Sequence, residues 1–543
     1  MDLARALSLT RTAANVLVAR GLSRPEHATR FLDPRLAHLT PPEAMKDRSE
    51  AVERISRAVR ARERICVFGD YDADGVTAAA LLTDVLRALG AEAVPVLADR
   101  FDGGYGLSAR ALARVVDTGA TLLVTCDCGS TDHDRLEGAR RAGVDAVVID
   151  HHRVPDAPLP ALAFLNPHRP ECTFSYKGLA SVGLALSIGA GVRAALGVPL
   201  DMRRWLDLVA IGTIGDVAPL DGDNRALVRA GLGLLARGGR PGTLALAQIA
   251  GCTAPSVTGE DVSFRLAPRI NAPGRLDKPD LALALLLATS DDEARRLADQ
   301  IEVHSTRRKE VERAVMVEAL EALADPALAA LPGIVLAKQG WHPGVVGIVA
   351  GRLASRFGKP AVVIALDGAS GRGSARAPAG FSVYDALARA SDVLVGFGGH
   401  HAAAGLEVAS ERVEALRELF CSACATMTPA AARPFDADAP LEDGDTPARV
   451  VAELERFEPC GQANPAPRVS IDRARVLGVR EMRGGHLRLW LDVGGTRLSC
   501  FGPEMGGLAG RVGTHASVAG ILRKDTWTGG DAVEMRLSAS DLS

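Results

Sequence analysis

Short apolar runs recur through the first half of the chain, and each ends on an acidic residue or a histidine. Ile65 to Phe68, Leu122 to Thr125, Ala146 to Ile149 and Val209 to Thr213 read as buried strands. They deliver Asp70-Tyr71-Asp72-Ala73-Asp74-Gly75, Asp127, Asp150-His151-His152 and Asp216 to their ends. Helical patterns at Thr77 to Leu89, Ser108 to Asp117 and Asp132 to Ala142 alternate with these runs. From Ile65 to about Ser290 the chain therefore predicts βαβ units around a parallel sheet. The carboxyl edge of such a sheet is where ligands bind.

Asp291 to Leu323 is dense in charge and holds neither Gly nor Pro, which predicts one long helix ended by Leu331-Pro332-Gly333. At 1.5 Å per residue it would be roughly 50 Å long, a strut between two units. A second, smaller α/β unit follows, with strands at Ile334 to Ala337 and Ala361 to Ala365 and a Gly-rich block at Gly396 to Gly405. The Pro- and Asp-rich stretch Pro429 to Pro447 marks a boundary. Beyond Arg468, alternating runs (Val469 to Ile471, Leu487 to Val493, Thr496 to Phe501, Ala516 to Leu522, Val533 to Leu537) separated by Gly pairs predict a small β-barrel or sandwich. The start of the chain reads as short helices ending in an amphipathic helix near Ser49 to Arg60. The expected divisions are a helical segment at 1–60, a parallel-sheet unit at 61–290, a connecting helix at 291–330, a second α/β unit at 331–428, a linker at 429–467 and a β-barrel at 468–543.

A hydrophobic fraction of 47% with 24% charged residues argues against disorder. Nine cysteines, odd in number and irregularly spaced, argue against a disulfide framework and suit a reducing cytoplasm, the expected location. Cys421 and Cys424 form a lone CxxC in helix-like surroundings and read as packing. Met1 to Arg20 lacks the continuous apolar core of a secretory signal. Val182 to Leu200 is interrupted by Arg193 and four glycines, so it predicts a buried helix, and no membrane span is expected. Net charge is only -3, but its distribution is uneven. Gly333 to Gly405 holds seven Lys/Arg against three Asp/Glu, and Arg468 to Ser543 eleven against eight, while carboxylates gather in the first half. Acids that hold metal beside surfaces that attract phosphates suit an enzyme acting on polyanions.

Asp70-x-Asp72-x-Asp74-Gly75 is not a calcium loop, because its twelfth position is Leu81 and a strand precedes it where a helix is needed. Each aspartate taken singly has an ordinary reading as a helix cap or turn residue. Asp150-His151-His152 does not, since a carboxylate and two imidazoles are costly to leave without partners at a strand end. Taken together the clusters predict a divalent-metal site for Mn²⁺ or Mg²⁺. Two ions roughly 3.5 to 4 Å apart would activate a water and stabilise both oxygens of a displacement at phosphorus. Phosphoester or phosphoanhydride hydrolysis is the expected reaction class.

These residues resemble the DHH phosphoesterases, named for the triplet present here as Asp150-His151-His152. Gly69 to Thr77, Gly104-Tyr105-Gly106, Thr125 to Gly129 and Ile211 to Val217 are similar to successive motifs of that family. Arg269 to Leu276, Trp341 to Ile348, Gly373-Ser374-Ala375-Arg376, Gly398 to Gly405 and Phe457 to Pro465 resemble its RecJ branch, so the likeness spans nearly the whole chain. The resemblance implies a DHH domain, a DHHA1 domain and an OB-fold, and a metal-dependent exonuclease that degrades single-stranded DNA from the 5′ end in recombination and repair. It implies Asp72, Asp74, Asp127, His151 and Asp216 as metal ligands, with Asp127 bridging two ions, and His152 contacting the scissile phosphate. Asp70 and Asp150 would orient those ligands. Phe68 stands where many relatives carry a further ligand histidine, which implies that one ion is held more weakly and is easily titrated. Ala377 and His304 are further departures, replacing a frequent Ser and Asn.

For the strand itself, the resemblance offers Arg100, Arg275, Ser374 and Arg376 as groups gripping it near its 5′ phosphate, and Tyr105 is a further substrate-binding candidate. The Gly-rich block with its paired His400 and His401 could let backbone amides approach a phosphate closely. Single strands are also held by stacking, for which Trp490, Phe501 and Trp527 stand among Arg488, Arg497, Arg523 and Lys524. Single-strand-binding protein and a helicase are implied partners, and a monomer is expected. A nano-RNase or nucleotide phosphatase would need the same metal site but not the terminal β-rich region. A pyrophosphatase would have no use for that region either. A non-catalytic DNA-binding scaffold would have lost the carboxylates, and all are present.

Overall fold

A computed structural model describes residues 3–252, 257–427, 437–525 and 532–541. Trp527 and positions 429–436 of the Pro- and Asp-rich stretch lie outside the described residues. Four helices open the chain: Leu3–Leu7 (α1), Arg11–Ala19 (α2), Pro25–Leu32 (α3) and Arg48–Ala61 (α4). Arg64–Gly69 (β1), Glu92–Leu97 (β2), Leu122–Cys126 (β3), Asp145–Ile149 (β4) and Ala163–Leu165 (β5) then form a parallel sheet in the order β2-β1-β3-β4-β5. Ala73–Ala88 (α5), Ala109–Asp117 (α6) and His133–Arg141 (α7) connect its strands; Ser181–Leu196 (α8), Leu206–Gly215 (α9) and Gly222–Ala236 (α10) follow it. Residues of α4, α5 and α8 pack with Ile65, Val67 and Val124 on one face, and residues of α6 and α7 with Cys66, Leu123 and Val148 on the other. The chain leaves β1 in one direction toward β2 and returns across it to β3, which makes the carboxyl edge between β1 and β3 the switch point.

One expected strand is a helix. Val209 to Thr213 lies inside α9, whose residues from Leu206 to Ile214 are buried on every side. A run that is apolar all round carries neither a two-residue nor a 3.6-residue period, so its pattern could not distinguish the two. Val182 to Leu200 does contain a buried helix, α8, as its composition predicted.

The strut runs from Asp291 to Ala322, with the Ser290 side chain accepting from the Glu293 amide at its start. It ends before Leu331-Pro332-Gly333, because Asp325-Pro326 starts a separate short helix, Pro326–Ala330, with proline in its first turn. The second sheet contains Ile334–Gln339 (β6), Ala361–Asp367 (β7), Ser370–Arg376 (β8), Leu394–Gly399 (β9) and Ala403–Ala409 (β10), in the order β6-β7-β8-β10-β9. The helix Val346–Phe357 and the strut cover one face of its first strands, and Val383–Ala388 and Val413–Ala425 cover the other. Cys421 and Cys424 are buried and free in the last of these helices.

Ala439–Pro440 (β11), Val469–Met482 (β12), His486–Val493 (β13), Thr496–Gly502 (β14), His515–Lys524 (β15) and Val533–Asp541 (β16) make the third sheet. Pairing of β12 with β15 closes five of these strands into a barrel. Its core is shared with the start of the chain: Leu3, Val16, Leu17 and Leu32 pack with Val469, Leu487 and Leu489. The first sixty residues thus serve two cores, since Ala51 and Ile55 of α4 belong to the parallel-sheet unit.

Candidate functional site

The carboxyl edge of β1 carries the first acids. Asp72 caps α5, its Oδ1 accepting from the amides of Asp74 (3.0 Å) and Gly75 (3.2 Å). This turn folds back so tightly that a Cβ on Gly75 would lie 2.5 Å from the Asp70 carbonyl oxygen. Asp74 then points down from the first turn of α5 to the start of α8, where its Oδ2 accepts from the Ser181 amide (2.7 Å) and its Oδ1 from the Val182 amide (2.9 Å). Burial and the neighbouring Asp72 push the Asp74 carboxyl up to about 7. Asp127 follows β3 in the left-handed region at φ 65, a conformation that an aspartate tolerates better than most residues. Its Oδ1 accepts from Ser181 Oγ at 3.1 Å. Asp216 ends α9, and burial with Asp74 and Asp72 nearby pushes it up to about 9. Asp70 and Asp127 are raised for the same reason, burial first and then the other acids.

β4 supplies the imidazoles, and their environments push them apart. Asp150, itself buried, accepts from the His151 amide (2.8 Å), the His152 amide (3.2 Å) and the Ser130 amide (3.0 Å), and lies 2.8 Å from His152 Nδ1. Burial opposes its ionisation, but the His152 contact prevails and holds it down at about 2. His152 is correspondingly raised to about 9, the Asp150 bond outweighing its own burial. Tyr105 Oη lies 2.9 Å from the same Nδ1 and donates to the Asp127 carbonyl at 2.9 Å. His151 is the opposite case: burial and the adjacent His152 lower it to about 4, so it stands neutral. Its Nε2 is buried without a hydrogen bond, 3.2 Å from Asp127 Oδ1, 3.7 Å from Asp216 Oδ2 and 3.9 Å from Asp74 Oδ2.

Three interlocking sets of donors result: Asp127 with His151 and His152, Asp74 with His151 and Asp216, and Asp70 with Asp72 and Asp127, each with ligand atoms within 4.8 Å of one another. An unpartnered imidazole nitrogen among mutually repelling carboxylates fits a divalent cation, which would relieve both at once. Phe68, at the position of a possible further ligand, is buried in the apolar core between β1 and α6.

Arg100, Arg275 and Arg376 form a second cluster. Arg100 lies over the Tyr71 ring at 4.1 Å and donates to the Gly274 carbonyl at 3.4 Å. Arg275 donates to Gly344 (3.1 Å), which joins the two α/β units, and Arg376 donates to the neighbouring Ala375 carbonyl (2.8 Å). None of the three makes an ion pair among the described residues. Burial and then Arg100 depress both Arg275, to about 10, and Arg376. Ser374 Oγ and Arg376 Nη2 both approach Gly347, in the first turn of the helix Val346–Phe357; a Cβ there would lie 3.1 Å from each. This helix start and these side chains offer hydrogen-bond donors to an anion.

His400 and His401 are not brought to the carboxylates. They form the exposed turn between β9 and β10, with His401 Nδ1 2.9 Å from Ser382 Oγ. The turn is nonetheless close to Arg376, which pairs in register with Ala403. In the barrel, Trp490 and Phe501 are half-buried on the outer face of β13 and β14, against Arg497 (5.0 Å) and Arg488 (5.4 Å) respectively. Two groups at the site went unread in the sequence. Ser181 holds both Asp74 and Asp127, and its position inside a featureless small-residue helix gave no signal. Buried Asn166 donates to the His152 carbonyl at 2.8 Å. It follows β5 directly, so the rule that found the acids, a polar residue just after an apolar run, would have found it too.

Comparison with known proteins adds to this geometry. The family model of the DHH family N-terminal domain matches residues 64–213, that of the DHHA1 domain 330–426 and that of the RecJ OB domain 437–539. The single-stranded-DNA-specific exonuclease RecJ of Bacillus subtilis is 35% identical over 535 residues, covering 97% of this chain and 67% of its own length. The crystal structure of Thermus thermophilus RecJ in complex with Mn²⁺ superposes with a TM-score of 0.86 at 32% identity, over 99% of this chain and 77% of that one. The Mg²⁺ complex of the same Thermus protein gives 0.80 at 31% identity, over 99% and 76%.

Proposed function

This chain belongs to the RecJ family of single-stranded-DNA-specific exonucleases, within the DHH phosphoesterases, and we propose that it removes nucleotides from the 5′ end of single-stranded DNA. The observation that carries the reading is His151 Nε2, buried and unbonded among the carboxylates of Asp74, Asp127 and Asp216. Asp72, Asp74, Asp127, His151 and Asp216 would hold two Mn²⁺ or Mg²⁺ ions. Bound there, the ions supply a water acidified for attack and positive charge for the phosphate oxygens.

The chain's own residues set the rest. The amides of Ser181 and Val182 fix the Asp74 carboxylate, so the ligand is in place before any ion arrives. His152 cannot ligate while protonated; held cationic by Asp150, it is a donor for a non-bridging oxygen of the scissile phosphate. Asp150 and Asp70 orient these groups, and Tyr105 locks the His152 ring edge. Arg100, Arg275, Ser374 and Arg376 would grip the terminal phosphate of the strand. Gly405 and Gly398 continue the row begun by Ser374 across the second sheet, with open space above each, so a strand can lie flat there beside His400 and His401. Trp490 and Phe501 offer stacking faces farther along. A cleft of single-strand width between the two α/β units would exclude duplex.

The protein would work as a monomer, on strands opened by a helicase or covered by single-strand-binding protein. No helix among the described residues is long and apolar enough to cross a membrane. The test uses 5′-labelled strand, 3′-labelled strand and pyrophosphate, each with Mn²⁺ and with EDTA. Early release of label from the 5′-labelled strand alone, abolished by EDTA, is the expected result. Early release from the 3′ end would reverse the polarity, and hydrolysis of pyrophosphate alone would overturn the nuclease reading.

A further inference from the structure

The parallel-sheet unit meets the barrel at a residue that the hydrolysis does not use. Arg225, in α10, is only 2% exposed, and all five of its N–H groups donate to backbone carbonyls. Nε donates to Phe31 (2.9 Å), Nη1 to Phe457 (2.8 Å) and Pro459 (3.1 Å), and Nη2 to Arg456 (3.1 Å) and Glu458 (3.1 Å). The guanidinium also lies 4.0 Å from the centre of the Phe31 ring. Four of these carbonyls follow the helix Pro447–Leu454, at and just beyond its terminal turn Glu455–Phe457, where backbone acceptors lack an intrahelical partner. A side chain from another unit thus supplies their cap. Burial lowers the guanidinium to about 10, and the contact holds this desolvated cation chiefly by carbonyl dipoles and the Phe31 ring.

The seat has two further sides. Next to Arg225, the Leu220 amide donates to the Gln462 carbonyl at 2.8 Å, and Arg229 donates to the Leu32 carbonyl at 2.6 Å. On the barrel side, Asn464 donates to the Phe457 (3.0 Å) and Pro459 (2.7 Å) carbonyls, and Arg20 of the N-terminal helices donates to Asn464 at 2.7 Å. On the catalytic side, Leu220 is four residues beyond Asp216, and Asn224 donates to the Pro219 (3.0 Å) and Gly178 (2.5 Å) carbonyls. Gly178 leads directly into Ser181, which holds Asp74 and Asp127. Hydrogen bonds and short stretches of chain therefore connect the linker before the barrel to two elements of the metal centre.

We propose that this seat, made by Arg225 and Leu220 with the segment Phe457 to Gln462, positions the barrel over the metal centre and so sets how many nucleotides are removed per encounter. Arg225 is a positioning residue: it touches neither strand nor ion, and acts by keeping the barrel's grip in line with the cleft. The inference rests on the nuclease reading above for its consequence, though not for its geometry.

Two substitutions test it from opposite sides. Arg225→Lys keeps the charge but brings at most three donors to five acceptors. Gly461→Trp wedges the seat from the linker, where a Cβ would already meet Leu220 Cδ1 at 2.8 Å, and leaves Arg225 untouched. Three quantities are read for each full-length variant: cleavage of a dinucleotide, run length on a long single strand with a competitor trap, and dissociation of that strand in EDTA. A tethered second grip multiplies retention by about 10²–10⁴, so runs should shorten and dissociation quicken by at least about tenfold, with dinucleotide kcat and KM within about twofold. Unchanged run length and dissociation would overturn the proposal. So would parallel loss of dinucleotide and long-strand cleavage, which would make Arg225 a residue of the fold alone. Should the wild-type protein cleave no strand yet hold one with a seat-dependent lifetime, the nuclease reading falls and the seat stands; cleavage with seat-independent lifetime is the converse.

Discussion

The acidic cluster at the edge of β1, β3 and β4 and the arginine cluster between the two α/β units are built by one principle with opposite signs. Each gathers like charges in a buried place. Each is held by backbone groups of the complementary sense: amides of Ser181, Val182 and Ser130 for the acids, carbonyls of Gly274, Gly344 and Ala375 for the arginines. Backbone dipoles fix geometry without cancelling charge, so both clusters are preformed and keep their excess of one sign. In the function proposed above, cations would complete one and phosphate the other, and a DNA terminus with its metal ions would supply both. The difference lies in what each costs when empty. Carboxylates can take up protons, as the raised Asp74 and Asp216 show, whereas arginines stay charged at any ordinary pH.

The largest effect should come from emptying the acidic side alone. Asp127→Ala is expected to lower the rate of hydrolysis by about 10⁴-fold while single-strand binding, measured in parallel, is retained. Loss of both together would mean that the two clusters are not independent.

Arg376→Ala unbalances the other side. It should raise KM for a 5′-phosphorylated strand by about 10- to 100-fold and act far less on a 5′-hydroxyl strand. Equal effects on the two substrates would remove Arg376 from the phosphate grip.

Protons and metal compete for the acids, which fixes the sign of a pH dependence. Carboxyls raised in the folded state from 3.8 to about 7 and about 9 cost the metal-free protein stability as pH rises through that window; below it they cost nothing. Bound ions remove the cost, so the melting difference between Mn²⁺-loaded and EDTA-treated protein should widen from pH 5 to pH 8. At 100-fold excess over Kd the ions should contribute about 2.7 kcal/mol. A difference that narrows with pH would show that the acids are not the binding groups.

The smallest effect belongs to a half-buried side chain on the outer face of the barrel. Trp490→Ala should weaken binding of a long strand by about fivefold, at the low end for one stacked base, and leave dinucleotide cleavage unchanged. An unaltered affinity would make Trp490 a packing partner of Arg497 only.

Most of the site was legible because strand ends announce themselves: a buried apolar run followed by Asp or His is a costly arrangement with few uses. Asp70 to Asp74, Asp127 and Asp150 to His152 were readable for that reason. Asp216 was placed in the right cluster on the wrong element, since α9 is buried all round and its run carries no period. The arginines were legible only through family motifs; an isolated Arg in a loop has no pattern of its own. Ser181 acts on the Asp127 carboxylate, 54 residues away in sequence, and Arg225 on the Phe457 carbonyl, 232 residues away, and nothing local marks such a role.

What the sequence determined by itself is the chemistry and the architecture of each unit, because side-chain type and periodicity are local properties that the chain displays directly. Only the tertiary structure decided which imidazole is neutral and which is charged, for that depends on a 2.8 Å contact with Asp150 and on burial. It alone also decided that the first helices complete the barrel's core and that one guanidinium seats the barrel on the catalytic unit. Both are contacts between distant segments, whose formation depends on shape and unsatisfied backbone groups that no stretch of sequence displays.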